Sequence, residues 1–323
     1  MARGWRVLDA ISLEGVVGGT RGRITLSPVN EPVTAVPAEE IALLMIGNQT
    51  SIDASAMHYL AKHDIALLAT DWRGVPIVGL YPWGDHGRVA ARHIAQAELS
   101  RPRRKNAWMQ LVKAKIVGQA ATLDAVDPIG ADRLRQLAAN VRSGDPANSE
   151  GIAARIYWPR LFGTYGTFLR DQDGGDEVNA LLNYGYMVLR GYGIRAALSA
   201  GLSPPLGLFH HGRANYFNLV DDLIEPFRPA IDAEVLRLGP SASLERAEVK
   251  HLMVAAASQP FSSDGYRIPA VLDDLAQRLG RYVEGELDRL AVEAWGGTAG
   301  RMEPSFEKTT PPGGLGDLGD MPW

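Results

Sequence analysis

The sequence contains no cysteine. This excludes disulfide bonds and thiolate metal sites, so any metal ion in this protein would need nitrogen and oxygen ligands. There is also no apolar run of roughly 18 residues, the length that a transmembrane helix requires. The first residues lack the continuous apolar core of a signal peptide. Together these absences predict a protein of the cytoplasm with no membrane partner.

Positive charge is not in excess, because the sequence has 33 Lys and Arg residues against 37 Asp and Glu residues, which gives a net charge of -4. A nucleic-acid-binding protein with this balance has to concentrate its positive charge in one place. Three catalytic signatures are missing as well: the glycine-rich phosphate loop with its lysine, the nucleophile elbow and the HExxH motif. Nucleotide hydrolysis and serine-based acyl transfer therefore have no support in the sequence.

The order of patterns along the chain predicts an α+β protein, with a small β-rich N-terminal domain followed by a larger all-helical C-terminal domain. Short runs such as "EIALLMIG" and "GVPIVGLYP" predict strands within the first eighty residues, with one helix among them. From about Val89 onward helical periodicity dominates, and the end of the chain is rich in Gly and Pro. We therefore predict a β-rich domain at 1–87, a helical domain at 88–295 and a mobile tail at 296–323.

One apolar stretch, "LGLFHHGRANYFNLVDDLIEPFRP", carries an unusual number of polar groups. Asp221 and Asp222 lie four and three residues before Glu225, so each can share a helical face with it, where like charges repel unless a cation lies between them. Pro226 is expected to kink or end the helix and to leave the carbonyl of Asp222 without its usual bond. The polar residues of interest in this stretch are His210, His211, Asp221, Asp222 and Glu225.

The residues alone leave two interpretations of that stretch. The acids could form a solvated edge beside a structural histidine, with Arg228 as a counter-charge, or several of the groups could converge on a metal ion. Glu150 is similarly ambiguous. It stands at the start of another predicted helix, where Asn148 or Ser149 can act as the cap and an acid favours the positive end of the helix dipole.

A second segment, "SRPRRKNAWMQLVKAK", supplies concentrated positive charge. Its six bases have no acid among them, and a flat basic edge beside Trp108 would suit a phosphate backbone. The alternative is a solvated helix start with no binding role. The six bases are Arg101, Arg103, Arg104, Lys105, Lys113 and Lys115.

Three segments resemble one known family, the CRISPR-associated spacer integrases, and in particular the form found in type II systems. They are "DPANSEGIAARIYWPRLFG", "NALLNYGYMVLRGYG" and the His- and Asp-containing stretch quoted above. The last is the most specific, since its His, Arg, double Asp and "EPFRP" follow the family's order and spacing. The resemblance covers Trp5 to about Leu290.

This resemblance implies a prokaryotic, metal-dependent DNA endonuclease and integrase. The family reaction inserts short DNA duplexes, the spacers, into a CRISPR repeat array by attack of a 3′-hydroxyl on a phosphodiester. Carried over to this chain, Glu150, His210 and Glu225 are the catalytic residues and hold Mg²⁺ or Mn²⁺. Hard cations of this kind match a site without thiolates.

The resemblance also ranks the remaining groups. Family spacing selects His210 over His211, and Glu225 before Asp222 and Asp221, so the other three would act indirectly or structurally. The basic segment becomes a predicted DNA contact. The residues predicted to bind DNA are Arg101, Arg103, Arg104 and Lys105.

The implied partners are double-stranded DNA, as spacer precursor and as repeat array, and a second copy of the chain. Two such homodimers would join one dimer of a small second CRISPR adaptation protein in a larger hetero-oligomer. The type II effector nuclease and an accessory protein are further candidate partners. Two other functions stay open: a structure-specific DNA nuclease without integration, and a non-catalytic DNA-binding scaffold.

Overall fold

The structure is a computed structural model, and it describes residues 6–71, 76–82, 86–166, 168–171 and 176–297. Strands fill the N-terminal part and helices follow, which confirms the α+β order. The last strand ends at Leu80 and the next helix begins at Val89. Two independent domains with those limits remain a prediction. Most of the predicted tail, from residue 298 onward, lies outside the described residues.

The N-terminal part contains two four-stranded sheets and one α-helix among the described residues. In the first sheet, β1, β5 and β7 are parallel and β8 is antiparallel to β7. In the second, β4, β3 and β2 form an antiparallel meander and β6 pairs in parallel with β2. The elements are β1 (Arg6–Ala10), β2 (Gly15–Thr20), β3 (Arg23–Pro28), β4 (Thr34–Pro37), β5 (Ile41–Ile46), β6 (Thr50–Ile52), α1 (Ala54–Lys62), β7 (Ala66–Thr70) and β8 (Pro76–Leu80).

Strand β5, "IALLMI", is buried along its whole length and lies between two hydrophobic cores. Because side chains alternate across a strand, Leu44 and Ile46 join the core between the two sheets, while Leu43 and Met45 join the core of the helical part. This explains the continuous apolar run that predicted a buried strand.

The helical part consists of nine further α-helices within the described ranges. They are α2 (Val89–Ala97), α3 (Arg101–Leu123), α4 (Pro128–Ala139), α5 (Ser149–Leu161), α6 (Glu177–Ser199), α7 (Asn218–Ile224), α8 (Arg228–Leu238), α9 (Ala247–Ala256) and α10 (Ile268–Val283).

Helix α6 stays unbroken although three glycines interrupt its sequence. A Cβ at Gly191 would lie 2.3 Å from Leu43 Cδ2 on β5, and one at Gly185 would lie 2.4 Å from Ile231 Cγ2 on α8. The glycines therefore permit close packing of α6 against the sheet and against α8. Each such contact has to outweigh the roughly 1 kcal/mol that Gly costs against Ala in a helix.

The helix that begins at Asn218 ends before Pro226, as expected. A single 3-10 turn, Glu225–Phe227, joins α7 to α8. In this turn the backbone N–H of Glu225 donates to the carbonyl of Asp222. The carbonyl of Asp222 therefore loses its usual helical bond to residue 226, as predicted, and accepts the bond of the tighter turn instead.

Candidate functional site

Helix α3 runs through the centre of the site and packs against α5, α8 and the turn Glu225–Phe227. This arrangement brings together two predicted acids that are 75 residues apart in the sequence. Glu150 lies in the first turn of α5, and Glu225 opens the 3-10 turn. Both side chains point toward α3.

Glu150 is not needed as the cap of its helix. The side chain of Asn148 accepts a hydrogen bond from the N–H of Gly151, and the carboxylate of Asp145 accepts from the N–H groups of Ser149 and Glu150. These bonds satisfy the donors that a helix start leaves open. The carboxylate of Glu150 is thereby free to interact away from its own helix.

Both acids converge on one cation, the ammonium of Lys115. Its Nζ lies 2.5 Å from Glu150 Oε1 and 2.6 Å from Glu225 Oε2. On the other side of Glu225, Arg228 Nε lies 3.2 Å from Oε1. Two glutamates and two cations therefore form a compact, charge-balanced group, hereafter the acidic centre, which comprises Glu150, Glu225, Lys115 and Arg228.

Glu225 is almost fully buried, with 4% of its surface exposed. Burial alone would raise the pKa of this carboxyl, but the charges of Arg228 and Lys115 outweigh the burial and hold the pKa below its ordinary value. Burial would likewise lower the pKa of Lys115, and Glu225 and Glu150 reverse that effect. Glu225 and Lys115 therefore each stabilise the charged form of the other.

His210 is fixed by Asp222, which is fully buried. The carboxylate of Asp222 accepts hydrogen bonds from the N–H groups of Leu208, Phe209 and His210, at 2.6, 3.1 and 3.2 Å. The same carboxylate lies 2.7 Å from His210 Nδ1. An acceptor at Nδ1 leaves Nε2 as the nitrogen for any external ligand, the arrangement usual for a metal-binding histidine.

An aromatic pair supports the histidine ring. Phe209 stacks on Trp108 of α3 with ring centroids 4.4 Å apart, and His210 meets both rings edge-on. The hydrogen bond to Asp222 raises the pKa of His210, against the effect of burial, and the charge of Glu225 raises it further. His210 is thus within electrostatic reach of Glu225.

The two other predicted site residues of this stretch, Asp221 and His211, have different surroundings. Asp221 pairs with Arg190, at 2.9 Å from Nε to Oδ1, and accepts a hydrogen bond from Asn215. His211 is exposed. Asp221 and Glu225 therefore face different partners, although a regular helix would have placed them on one face.

The bases of the segment that starts at Ser100 do not all lie on one exposed surface. Arg101 and Lys105 are exposed. Arg103 donates to the carbonyls of Tyr282 and Leu287 and lies over the ring of Tyr282. DNA contact by this segment stays a prediction, and Arg103 already has an internal structural role.

Lys115 is the member of the acidic centre whose surroundings the sequence pattern does not predict. It was grouped with the surface bases, yet it lies on the buried stripe of α3, four residues after Leu111 and four before Gln119. A lysine at such a position needs a buried counter-charge. That spacing was the signal that could have found it.

The donor set suits a hard divalent cation. Carboxylate oxygens and an imidazole nitrogen match Mg²⁺ or Mn²⁺. Glu225 Oε2 is buried and accepts no well-directed hydrogen bond within the described residues, although the Lys115 ammonium is close. In that part of the chain, no three His, Asp or Glu side chains already form a metal-binding group. The structure brings Glu150 and Glu225 together, and three-way convergence with His210 stays a prediction.

A family sequence profile, that of the CRISPR associated protein Cas1, matches residues 11–251. A CRISPR-associated endonuclease Cas1 of Neisseria meningitidis serogroup C is 39% identical over 236 residues, which are 72% of this chain and 76% of the relative. No helix in the described ranges is long and apolar enough to cross a membrane.

Solved structures share the fold. A casposase bound to integration product superposes with a TM-score of 0.72 at 20% identity, covering 88% of this chain and 92% of that one. A Cas6-RT-Cas1–Cas2 complex contains a chain that matches with a TM-score of 0.71 at 17% identity, covering 91% of this chain and 36% of that one. At these identities the likeness concerns the architecture alone.

Proposed function

The chain belongs to the CRISPR-associated Cas1 family, and we propose that it is a metal-dependent DNA endonuclease and integrase that inserts short DNA duplexes into a CRISPR repeat array. One observation carries the proposal beyond family membership. Glu150 Oε1 and Glu225 Oε2, from separate elements, lie 2.5 and 2.6 Å from one cationic nitrogen. Two carboxylates that already share one cation are suited to share another.

Glu150, Glu225 and His210 are the residues that would hold Mg²⁺ or Mn²⁺. When bound, such an ion polarises a phosphoryl oxygen, activates a hydroxyl and offsets charge on the leaving oxygen. Asp222 fixes the ring of His210 and directs Nε2 outward. Arg228 keeps Glu225 ionised, and the stacked Trp108 and Phe209 hold the loop that carries the histidine. No side chain is required to form a covalent bond with DNA.

The partners are proposed from the family and from the names of similar structures. A casposase has been solved with its integration product and a Cas1 chain with Cas2. We propose that this chain likewise acts on double-stranded DNA, forms a homodimer through its β-rich part and assembles with a small second adaptation protein. The exposed Arg101 and Lys105 are its best candidates for phosphate contact.

A strand-transfer assay with Mn²⁺, a 3′-hydroxyl duplex and a repeat-containing plasmid tests the proposal. Glu150→Gln should lose nearly all joining, because it removes one anionic ligand and keeps the shape of the side chain. Glu177→Gln is the matched control, since Glu177 is also a first-turn acid of a helix but is exposed. The control should join DNA as the wild type does.

The same assay separates the other functions. Cutting of branched DNA without joining would identify a structure-specific nuclease. DNA binding without cutting or joining would identify a scaffold. Full activity of Glu150→Gln would show that the acidic centre is not the reaction site.

A further inference from the structure

Lys115 has a position that the family reaction does not explain. Its side chain is only 15% exposed, and it rises from the buried stripe of α3 between two carboxylates. Burying an ammonium is costly unless it is paired with opposite charge. The pairing with Glu150 and Glu225 is therefore what makes this lysine compatible with the core.

The ammonium occupies the space that a shared metal ion would need. It lies within 2.6 Å of one oxygen from each glutamate. A divalent ion bound to the same two oxygens would approach each to about 2.0–2.2 Å. Both cations cannot fit between those oxygens at once.

The charge balance of the acidic centre is a second reason why Lys115 and a divalent ion would not be bound there together. Lys115 and Arg228 together balance the two glutamates. Like charges a few ångströms apart repel, and a divalent ion repels an ammonium twice as strongly as a monovalent ion does. A lysine that stayed in place would repel the incoming ion strongly.

The two cations of the centre differ in how easily they can move. Arg228 is half-buried, and its rigid guanidinium lies 4.6 Å from the centroid of the Tyr186 ring. The ammonium of Lys115 is instead a compact charge on a flexible four-carbon stem. Lys115 is thus the cation that can leave without rearranging the core.

We propose that Lys115 is the resident cation of the acidic centre: it holds Glu150 and Glu225 together before a divalent ion binds, and the ion displaces it. This inference rests on the proposed metal-dependent function. Lys115 acts here as a positioning residue. Its presence keeps the two glutamates assembled, at the cost of weaker metal affinity.

The test is Mn²⁺ binding to the metal-stripped full chain, measured by electron paramagnetic resonance and by calorimetry without DNA. Lys115→Met removes the charge and keeps the length, so it should bind Mn²⁺ about tenfold more tightly or better. Its melting temperature without metal should fall, and Mn²⁺ should raise that temperature more than it does for the wild type. Lys113→Met is the control, a half-buried lysine on the same helix, and should bind as the wild type does.

Lys115→Arg provides a second variant if Lys115→Met does not fold. It keeps the charge, but its planar donor group binds carboxylates through two bonds and leaves them less readily. Mn²⁺ affinity should therefore fall below that of the wild type. Wild-type affinity in Lys115→Arg, or affinity in Lys115→Met no higher than in the wild type, overturns the inference.

Failure of this inference differs from failure of the proposed function. If the wild type joins DNA with Mn²⁺ and Lys115→Met binds the ion no more tightly, only the inference fails. If the wild type shows no metal-dependent chemistry while Lys115→Met gains Mn²⁺ affinity, the inference stands and the proposed function fails.

Discussion

Glu225 in the 3-10 turn and Asp232 in α8 are both buried carboxylates, and their partners differ in kind. Glu225 faces the cations Lys115 and Arg228. Asp232 faces two neutral hydroxyls, accepting hydrogen bonds from Tyr157, at 2.9 Å, and from Tyr186. Both acids are at most 4% exposed, so burial alone does not separate them.

The partners set opposite protonation behaviour. Cations keep the pKa of Glu225 below its ordinary value, whereas burial raises the pKa of Asp232 to about 6 despite the hydrogen bonds from Tyr186 and Tyr157. Asp232 ties α8 to α5 and α6 through hydroxyls that only donate to it. A carboxylate held by hydroxyls is part of the scaffold, and one held by cations can exchange its cation. These surroundings support the proposal that Glu225 takes part in the chemistry, whereas Asp232 links helices.

Replacing each acid by its amide should give the largest difference between Glu225 and Asp232, measured as loss of strand transfer. Glu225→Gln should reduce strand transfer by about a thousandfold, close to 4 kcal/mol in the barrier, because it removes a metal ligand. Asp232→Asn should keep the activity of its folded fraction. Initial joining rates, normalised to folded protein, measure both. A larger loss in Asp232→Asn than in Glu225→Gln would reverse our assignment.

Asp232 should add its own pH dependence to the stability of the protein. Its folded-state pKa of about 6 lies above the ordinary value of 3.8, so between these pH values the folded chain holds a proton that the unfolded chain has lost. The wild type should therefore lose stability relative to Asp232→Asn as pH rises through this window, by about 3 kcal/mol in total. Urea unfolding in EDTA between pH 4 and 7.5 measures the difference. A difference that does not change with pH would contradict the prediction.

The smallest of the three effects should separate the adjacent acids of α7. Asp222→Asn weakens the hold on His210 and should lower metal affinity or joining by about ten- to a hundredfold. Asp221→Asn should lose less, because Asp221 pairs with Arg190 and Asn215. Parallel Mn²⁺ titrations and joining rates give the ranking. Greater damage from Asp221→Asn would show that the helix orientation is misassigned.

The sequence predicted the order of elements because the periodicities change clearly near Val89. Local sequence rules do not decide whether the glycines of α6 break the helix, since the answer depends on Leu43 and Ile231, which are distant in the chain. The sequence identified the end of α7 at Pro226 but not the 3-10 turn that satisfies the carbonyl of Asp222. Local rules predict where a helix stops, and packing decides how the chain continues.

Local sequence rules are limited in the same way for the candidate site, whose residues are distant in the chain. The resemblance names Glu150, His210 and Glu225, whereas spacing alone leaves a solvated acidic edge open. The run of bases around Lys115 suggests a surface position, because its two acidic partners, Glu150 and Glu225, lie 35 and 110 residues later in the sequence. Only the tertiary structure brings those charges together.

The most direct test of the central claim is a crystal structure of the protein with Mn²⁺, using anomalous scattering to locate the ion. We predict one manganese peak bound by Glu150, Glu225 and His210, with the Lys115 ammonium moved away from both carboxylates. A peak elsewhere, or an ammonium still between Glu150 and Glu225 at full manganese occupancy, would contradict the account.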